Sequence, residues 1–372
     1  MDAWQIDALD QIELDAKNQG RSIEQATKIQ FIRQIGGSGF ARIFRLDTNV
    51  GTFVVKVPLP AQQDIYESDD IYDLENALDS ENGLESVDQL MSVQPLVAEA
   101  HGLGALAKQP FVRVPRVIAA PDDSPREDRH IDDAPIHSSE PNFPLPPNPN
   151  CDAEKTANPS QLLITEFIES SSSKGFQAKS EEAFGRNLAK MHLALPNDRF
   201  GLERNNFLGA TLQPNDWHDD WITFWLTQRL ESQFRLAQQN GYYQDELKSL
   251  CESLLGKLPE ILASPVKAKP CLIHGDLWNG NFWIDDQGKP VIIDPAVYYA
   301  PAEVEFGMTS LFGGLSQRFM DAYQEISPLS GDFQRRIAVY RFYHLINHLN
   351  LFGEGYFIQS VHCLHEILHP DN

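Results

Sequence analysis

One stretch narrows what this chain can fold into more than any other: Cys271-Leu-Ile-His-Gly-Asp-Leu-Trp-Asn-Gly-Asn-Phe-Trp-Ile-Asp-Asp-Gln-Gly-Lys-Pro-Val-Ile-Ile-Asp-Pro295. Its short apolar runs predict strands at Leu272 to Ile273, Asn281 to Ile284 and Val291 to Ile293, the last two joined by a turn at Asp286 to Gly288. Polar side chains gather where these strands end, at Asp276, Asn281 and Asp294. Strand ends and the loops they feed are where a scaffold presents reacting groups.

Asp276, Asn281 and Asp294 suit one kind of chemistry. Moving a phosphoryl group from ATP requires a carboxylate that holds and deprotonates the acceptor hydroxyl, and ligands for the magnesium that offsets phosphate charge. Kinases take those ligands from an Asn on the catalytic loop and an Asp further on. The pattern H-x-D-x-x-x-x-N followed by a strand-terminal Asp supplies all three in order. Taken singly, each is a common turn residue, and only the joint spacing favours function. His274 reads as a loop histidine bonded to nearby backbone, outside the catalytic set.

The 372 residues suffice for two lobes with separate cores. With 53 acidic against 30 basic residues and a formal charge of −23, the field repels nucleic acid and anionic membrane. Cys151, Cys251, Cys271 and Cys363 are widely spaced, which suggests neither a disulfide framework nor a zinc site. Acidic residues near Met1 and the lack of a long apolar run lead us to expect a cytoplasmic protein without a signal or a membrane span.

Amphipathic spacing predicts a helix from Asp2 to Lys17, then strands at Lys28 to Ile35, Ala41 to Leu46 and Thr52 to Val57. The tip between the first two strands, Gly36-Gly-Ser-Gly39, bears no bulky side chain, so Gly36, Gly37 and Gly39 could lie over a triphosphate. Val-Val-Lys56 on the third strand places Lys56 to reach those phosphates. Ala61 to Pro95 holds ten acidic residues and no Lys or Arg, an inserted loop or helical arm with a solvated face. Leu96 to Ala107 reads as a helix on which Glu99 would pair with Lys56.

Val112 to Ala119 reads as a strand. Pro121 to Pro159 has too little apolar content to fold and reads as a loop. Gln161 to Ile168 reads as the strand leading to the hinge, where Glu166, Phe167 and Ile168 would meet the adenine edge, with Glu169 to Ser173 as connector. Helices are expected at Ser180 to Leu195, Trp217 to Gln239, Tyr243 to Leu262, Glu305 to Tyr323 and Gly331 to Phe352. Phe224 and Trp225 read as core, whereas Trp217 is a candidate ligand contact. The fold class is α+β: residues 1–168 form an N-terminal lobe with an antiparallel sheet and a helix, and 169–372 a mainly helical second lobe.

His274-Gly-Asp-Leu-Trp-Asn-Gly-Asn281, Asp294-Pro-Ala-Val-Tyr-Tyr299 and Met308-Thr-Ser-Leu-Phe-Gly-Gly314 together resemble the fructosamine kinase, or ketosamine kinase, family. So do Val97 to Leu103, Phe207 to Asn215, Trp217 to Arg229 and Leu345 to Gly353, so the likeness spans both lobes apart from the two insertions. It implies a protein-kinase-like fold related to aminoglycoside phosphotransferases and choline kinases. The implied activity is ATP-dependent, magnesium-assisted phosphorylation of the sugar 3-hydroxyl of ketosamines, which labilises sugar adducts of lysine.

By the same resemblance Asp276 is the base, Asn281 and Asp294 hold magnesium, and Lys56 and Glu99 steady ATP. Trp278 replaces a catalytic-loop lysine with a flat wall for the sugar or its amine stem. Gly275 replaces the arginine that answers a phosphorylated activation loop.

Three departures stand out. Glu305 occupies the position of the family's usual Asp, in Ala-Glu-Val-Glu305, without the arginine that commonly precedes it. The glycine loop lacks the cysteine through which some relatives link subunits. The acidic insertion lies near the implied cleft lip, where it would attract lysine-rich glycated substrates. A kinase of this fold acting on an aminoglycoside or choline-like acceptor, and a nucleotide-binding pseudokinase, remain open alternatives. A monomer and a homodimer are equally open.

Overall fold

The computed structural model describes residues 1–20, 27–37, 40–59, 83–121, 161–170, 178–263, 269–312 and 315–370. Gly39, most of the acidic insertion, nearly all of the proline-rich loop and the serine connector lie outside them.

The N-terminal part is a sheet with a helix on one side. Helix α1 (Ala3–Asn18) starts at Asp2, whose amide donates to Gln5 Oε1 at 2.9 Å in a capping box. Strands β1 (Ile29–Gly37), β2 (Ala41–Thr48) and β3 (Gly51–Pro58) follow. Then come α2 (Gly83–Leu106), β4 (Val117–Ala119) and β5 (Leu163–Glu166). The five strands pair antiparallel in the order β1-β2-β3-β5-β4.

Alternation along β3 decides what each face does. Phe53, Val55 and Val57 join Ala8 and Ile12 of α1 in one core, while Lys56 lies on the opposite face. Trp4 stacks on Phe44 at 4.7 Å, which fixes α1 against the sheet.

Two expectations here are corrected. Helix α2 runs back through Pro95 to Gly83, although an internal proline forfeits a main-chain hydrogen bond. The strand expected at Val112 to Ala119 is paired within the sheet only from Val117. Pro115 has no N–H to give a ladder, and Arg113 turns away to pair with the second part of the fold: its amide donates to Pro290 O at 2.7 Å and its carbonyl accepts from Ile292 N at 3.0 Å.

The rest is mainly helical, built on one continuous core. Helix α3 (Ala178–Ala194) precedes a hairpin of β6 (Asn206–Leu208) and β7 (Thr211–Gln213). Helix α4 has an α-helical turn (Trp221–Phe224), a π-helical turn (Trp225–Leu230) and a final stretch (Glu231–Gln239). It starts later than expected because Asp220 accepts from Thr223 N at 2.8 Å and caps it there.

After α5 (Asp245–Leu262) come β8 (Cys271–Ile273), β9 (Phe282–Ile284), β10 (Pro290–Ile292) and β11 (Tyr298–Ala300). β9 pairs with β10 and β8 with β11. The single helix expected over Glu305 to Tyr323 is two, α6 (Glu305–Thr309) and α7 (Gln317–Gln324). The intervening sequence contains Gly313 and Gly314, poor helix formers, and Ser316 caps the restart by accepting from Phe319 N. Helices α8 (Phe333–Phe352) and α9 (Phe357–Leu368) close the fold. Phe224 and Trp225 are fully buried.

Candidate active site

The loop that carries Asp276 leaves β8 at Ile273 and turns where a side chain cannot fit. Gly275 has φ +82°, and a Cβ there would lie 2.2 Å from Ala296 O. Glycine alone permits that crossing. His274 is fully buried, and its ring is satisfied locally: Nδ1 accepts from the Asp276 amide at 3.2 Å, so Nε2 carries the proton it donates to Ile293 O at 2.8 Å. That arrangement makes it a loop-fixing residue. Glu305 accepts from the amides of His274 at 2.7 Å and Gly275 at 3.0 Å. The longer side chain therefore reaches both amides of the loop.

Asn281 Nδ2 donates to Asp276 O at 2.8 Å and to Asp276 Oδ2 at 3.0 Å. Burial, then the charge of Asp294, pushes the Asp276 carboxyl well above its ordinary range, and the Asn281 bond opposes the rise. Across the cleft, Lys56 Nζ lies 2.8 Å from Glu99 and 2.7 Å from Asp294 Oδ1. Burial alone would lower the Lys56 ammonium, but Asp294 and Glu99 outweigh it and hold it above its ordinary value. Burial raises the Glu99 carboxyl while Lys56 pulls it down. Five of the residues singled out by spacing thus stand in one connected set.

The donor set suits a small hard cation. Both amide hydrogen bonds of Asn281 run to Asp276, which leaves its side-chain carbonyl oxygen as an acceptor. Asp294 engages Lys56 through Oδ1, and its second oxygen lies on a side chain that is 35% exposed. One carboxylate and one amide oxygen match magnesium, which completes its shell with phosphate and water. No cluster of three His, Cys, Asp or Glu able to hold a metal occurs among the described residues.

At the nucleotide end, Gly36 and Gly37 close β1 opposite Ile43 and Arg42. At the hinge, the Glu166 amide donates to Arg116 O at 3.0 Å and that of Phe167 to Thr52 O at 3.2 Å. The Phe167 ring lies 4.4 Å from the Arg45 guanidinium. Ile168, the next residue, is buried.

The Trp278 indole covers Gly280, where a Cβ would come within 2.4 Å of the ring. Its other neighbour is Phe312 at 5.6 Å, itself 5.2 Å from His348. The Trp217 ring packs on Tyr299 at 6.0 Å, and its carbonyl accepts from Arg199 at 2.7 Å. The contacts among the described residues do not join it to Asp276. Sequence reasoning missed Arg113, whose guanidinium lies 2.9 Å from Asp285 and 3.5 Å from Glu166. It ties the hinge strand to the β9–β10 turn, and no local pattern announces a partner 172 residues away.

Comparison with known proteins identifies the family. The family model described as fructosamine kinase matches residues 86–370. A curated relative from Synechocystis, "Probable ketoamine kinase", is 41% identical over 50% of this chain and 61% of its own length. The chloroplastic protein-ribulosamine 3-kinase of Arabidopsis thaliana is 38% identical over 56% of this chain and 62% of its own. The chain thus spans about three fifths of the length of these two relatives.

Two solved structures share the fold. A candidate fructosamine-3-kinase from Thermobifida fusca has a TM-score of 0.65 and 25% identity, covering 92% of this chain and 94% of that one. One from Haemophilus somnus has a TM-score of 0.67 and 20% identity, covering 96% of each.

Proposed function

The chain belongs to the fructosamine kinase family, and from that premise we propose that it transfers the γ-phosphoryl group of ATP to the sugar 3-hydroxyl of a ketosamine. The observation that carries the reading is the bridging position of Lys56, within 2.8 Å of both Glu99 and Asp294, on the cleft that also holds Asp276 and Asn281. Lys56 would steady the phosphates and Glu99 would orient its ammonium. Asn281 and Asp294 would hold magnesium, which when bound offsets the charge of the phosphate oxygens.

Asp276 would take the acceptor hydroxyl proton. Its buried carboxyl, raised by desolvation and Asp294, is a stronger base than an exposed one once ionised. Trp278, backed by Phe312, would give the sugar or its amine stem a flat apolar wall. Gly36, Gly37 and Gly39 would cover the phosphates, and Glu166 to Ile168 would receive the adenine. The lobe boundary we propose, after Ile168, is supported by the sheet's own apolar core, while Leu106 and Val112 pack into the core of the second lobe.

Ketosamines form when sugars glycate lysines, and phosphorylation of the 3-oxygen labilises the adduct, so the biological role we propose is deglycation. A cytoplasmic location fits the acidic composition; no helix among the described residues is long and apolar enough to cross a membrane. The test is ADP release with ribulosyl-lysine and fructosyl-lysine beside choline and an aminoglycoside. Turnover confined to the last two would reassign the substrate. ATP-dependent thermal stabilisation with no product from any acceptor would make the protein a pseudokinase.

A further inference from the structure

Beneath the catalytic loop lies a chain of buried hydrogen-bonding groups that the reaction scheme above does not use. Glu305, His192 and Tyr323 are 1%, 2% and 0% exposed, and they come from three helices, α6, α3 and α7. Glu305 Oε2, the oxygen that holds the His274 amide, also lies 3.3 Å from His192 Nε2. His192 Nδ1 lies 2.8 Å from the Tyr323 hydroxyl.

Proton counting orders the chain. A carboxylate oxygen only accepts, so His192 donates through Nε2–H. A neutral imidazole with its proton on Nε2 accepts at Nδ1, so the Tyr323 hydroxyl, 2.8 Å away, is the donor there. The Ser327 amide donates to the Tyr323 carbonyl at 2.9 Å, which fixes the end of α7 beside it. Both donors, Tyr323 and then His192, therefore point towards one buried carboxylate, which faces two loop amides on its other side. Such a chain specifies geometry because each member left unpaired would be costly.

The helices are brought together by a glycine. A Cβ on Gly185 would lie 2.4 Å from Phe319 O, so α3 and α7 cross without a side chain between them. His192, about two turns further along α3, then reaches both Tyr323 and Glu305.

We infer that His192 and Tyr323 are positioning residues for phosphoryl transfer, acting through Glu305 to hold the backbone that carries Asp276. The inference rests on the kinase reading for its effect on rate, but the brace itself is a property of the loop. It assigns a task to two side chains far from the cleft surface.

Three variants separate this from a purely packing role. His192→Leu removes the donor, His192→Gln restores an N–H at similar reach, and Tyr323→Phe deletes only the hydroxyl. With a ketosamine acceptor, kcat should fall roughly tenfold in His192→Leu and about threefold in Tyr323→Phe, with KM for ATP within about twofold of wild type. His192→Gln should recover most of the loss. Adding Tyr323→Phe to His192→Leu should cost nothing more, because the relay is already broken.

Amide hydrogen exchange of peptides spanning 271–277 in the unliganded protein should quicken in His192→Leu and Tyr323→Phe. That arm needs no substrate, so it decides the brace even if the acceptor is not a ketosamine, an outcome that would count against the proposed function alone. Additive losses, a Gln variant as poor as Leu, or unchanged exchange at 271–277 would overturn the inference.

Discussion

Lys56 Nζ lies 2.7 Å from Asp294 Oδ1, so a cation on the third strand of the sheet is bonded directly to the residue that follows the β9–β10 hairpin. The same ammonium meets Glu99 at 2.8 Å, which makes it the meeting point of β3, α2 and the segment after β10. Asp294 takes φ 55°, a left-handed conformation that costs a side-chain-bearing residue energy and persists where surrounding contacts hold it. Lys56→Met should lower kcat/KM for ATP by about two to three orders of magnitude, the scale of losing a preorganised donor to transferring charge. It should also lower Tm, since two buried or half-buried carboxylates lose their cation. Activity within threefold of wild type would reduce Lys56 to a structural tie.

Asp276 makes a different prediction, because the role proposed for it lies in the chemistry rather than in nucleotide affinity. In Asp276→Asn the new amide oxygen can still accept from Asn281, so the loop geometry at that bond survives. Turnover should fall by about two to four orders of magnitude, while thermal stabilisation by ATP with magnesium persists. Isothermal titration with a non-hydrolysable ATP analogue checks the second half. A large loss of nucleotide binding would move Asp276 from base to metal ligand.

What could be read in the sequence divides by the range of the interaction. Asp276, Asn281 and Asp294 were legible because one loop and one hairpin set their spacing, and Lys56 because alternation on a strand fixes its face. Helix ends shifted by a few residues where caps such as Asp220 outweighed apolar periodicity. Arg113 with Asp285, and Glu305 with His192, were illegible in kind: each pair joins residues more than a hundred positions apart, and each member alone looks like an ordinary surface or helix residue. Trp217 was read from its place beside a proline loop, and its ring packs on Tyr299, a partner 82 positions away that no local pattern announces.

The Arg113–Asp285 contact predicts a pH-dependent stability. Burial would raise the Asp285 carboxyl, but the Lys289 and Gln287 amides and Arg113 outweigh it and leave its folded value below the ordinary one. A depressed carboxylate contributes stability that is fully present above its unfolded value, near about 3.9, and is lost as pH falls through the folded value. Asp285→Asn should therefore melt lower than wild type at pH 7, by about 1.5–3 kcal/mol for a charge-assisted bond. The gap should close as pH drops below about 4. Scanning fluorimetry of both proteins across that range checks it, and a gap independent of pH would mean the contact is carried by shape alone.

Gly280 offers a way to move the acceptor wall proposed at Trp278 without replacing Asp276, Asn281, Asp294 or Lys56. A Cβ at this position would come within 2.4 Å of the Trp278 ring, and because that contact is with the end of a side chain, the indole can swing aside while the backbone stays. Gly280→Ala should thus fold normally, with KM for ATP unchanged. The displaced ring would no longer lie on Phe312, its neighbour at 5.6 Å, and the sugar or amine stem would lose a flat apolar surface of the kind that contributes about 0.5–1.5 kcal/mol beyond burial. KM for the ketosamine should therefore rise about three- to tenfold with kcat little changed, the pattern of lost uniform binding. Trp278→Ala should show the same direction with a larger rise. If Gly280→Ala instead lowers kcat at constant acceptor KM, the indole is not a wall of the acceptor site, and its strain on Asn281 next door is what the substitution reports.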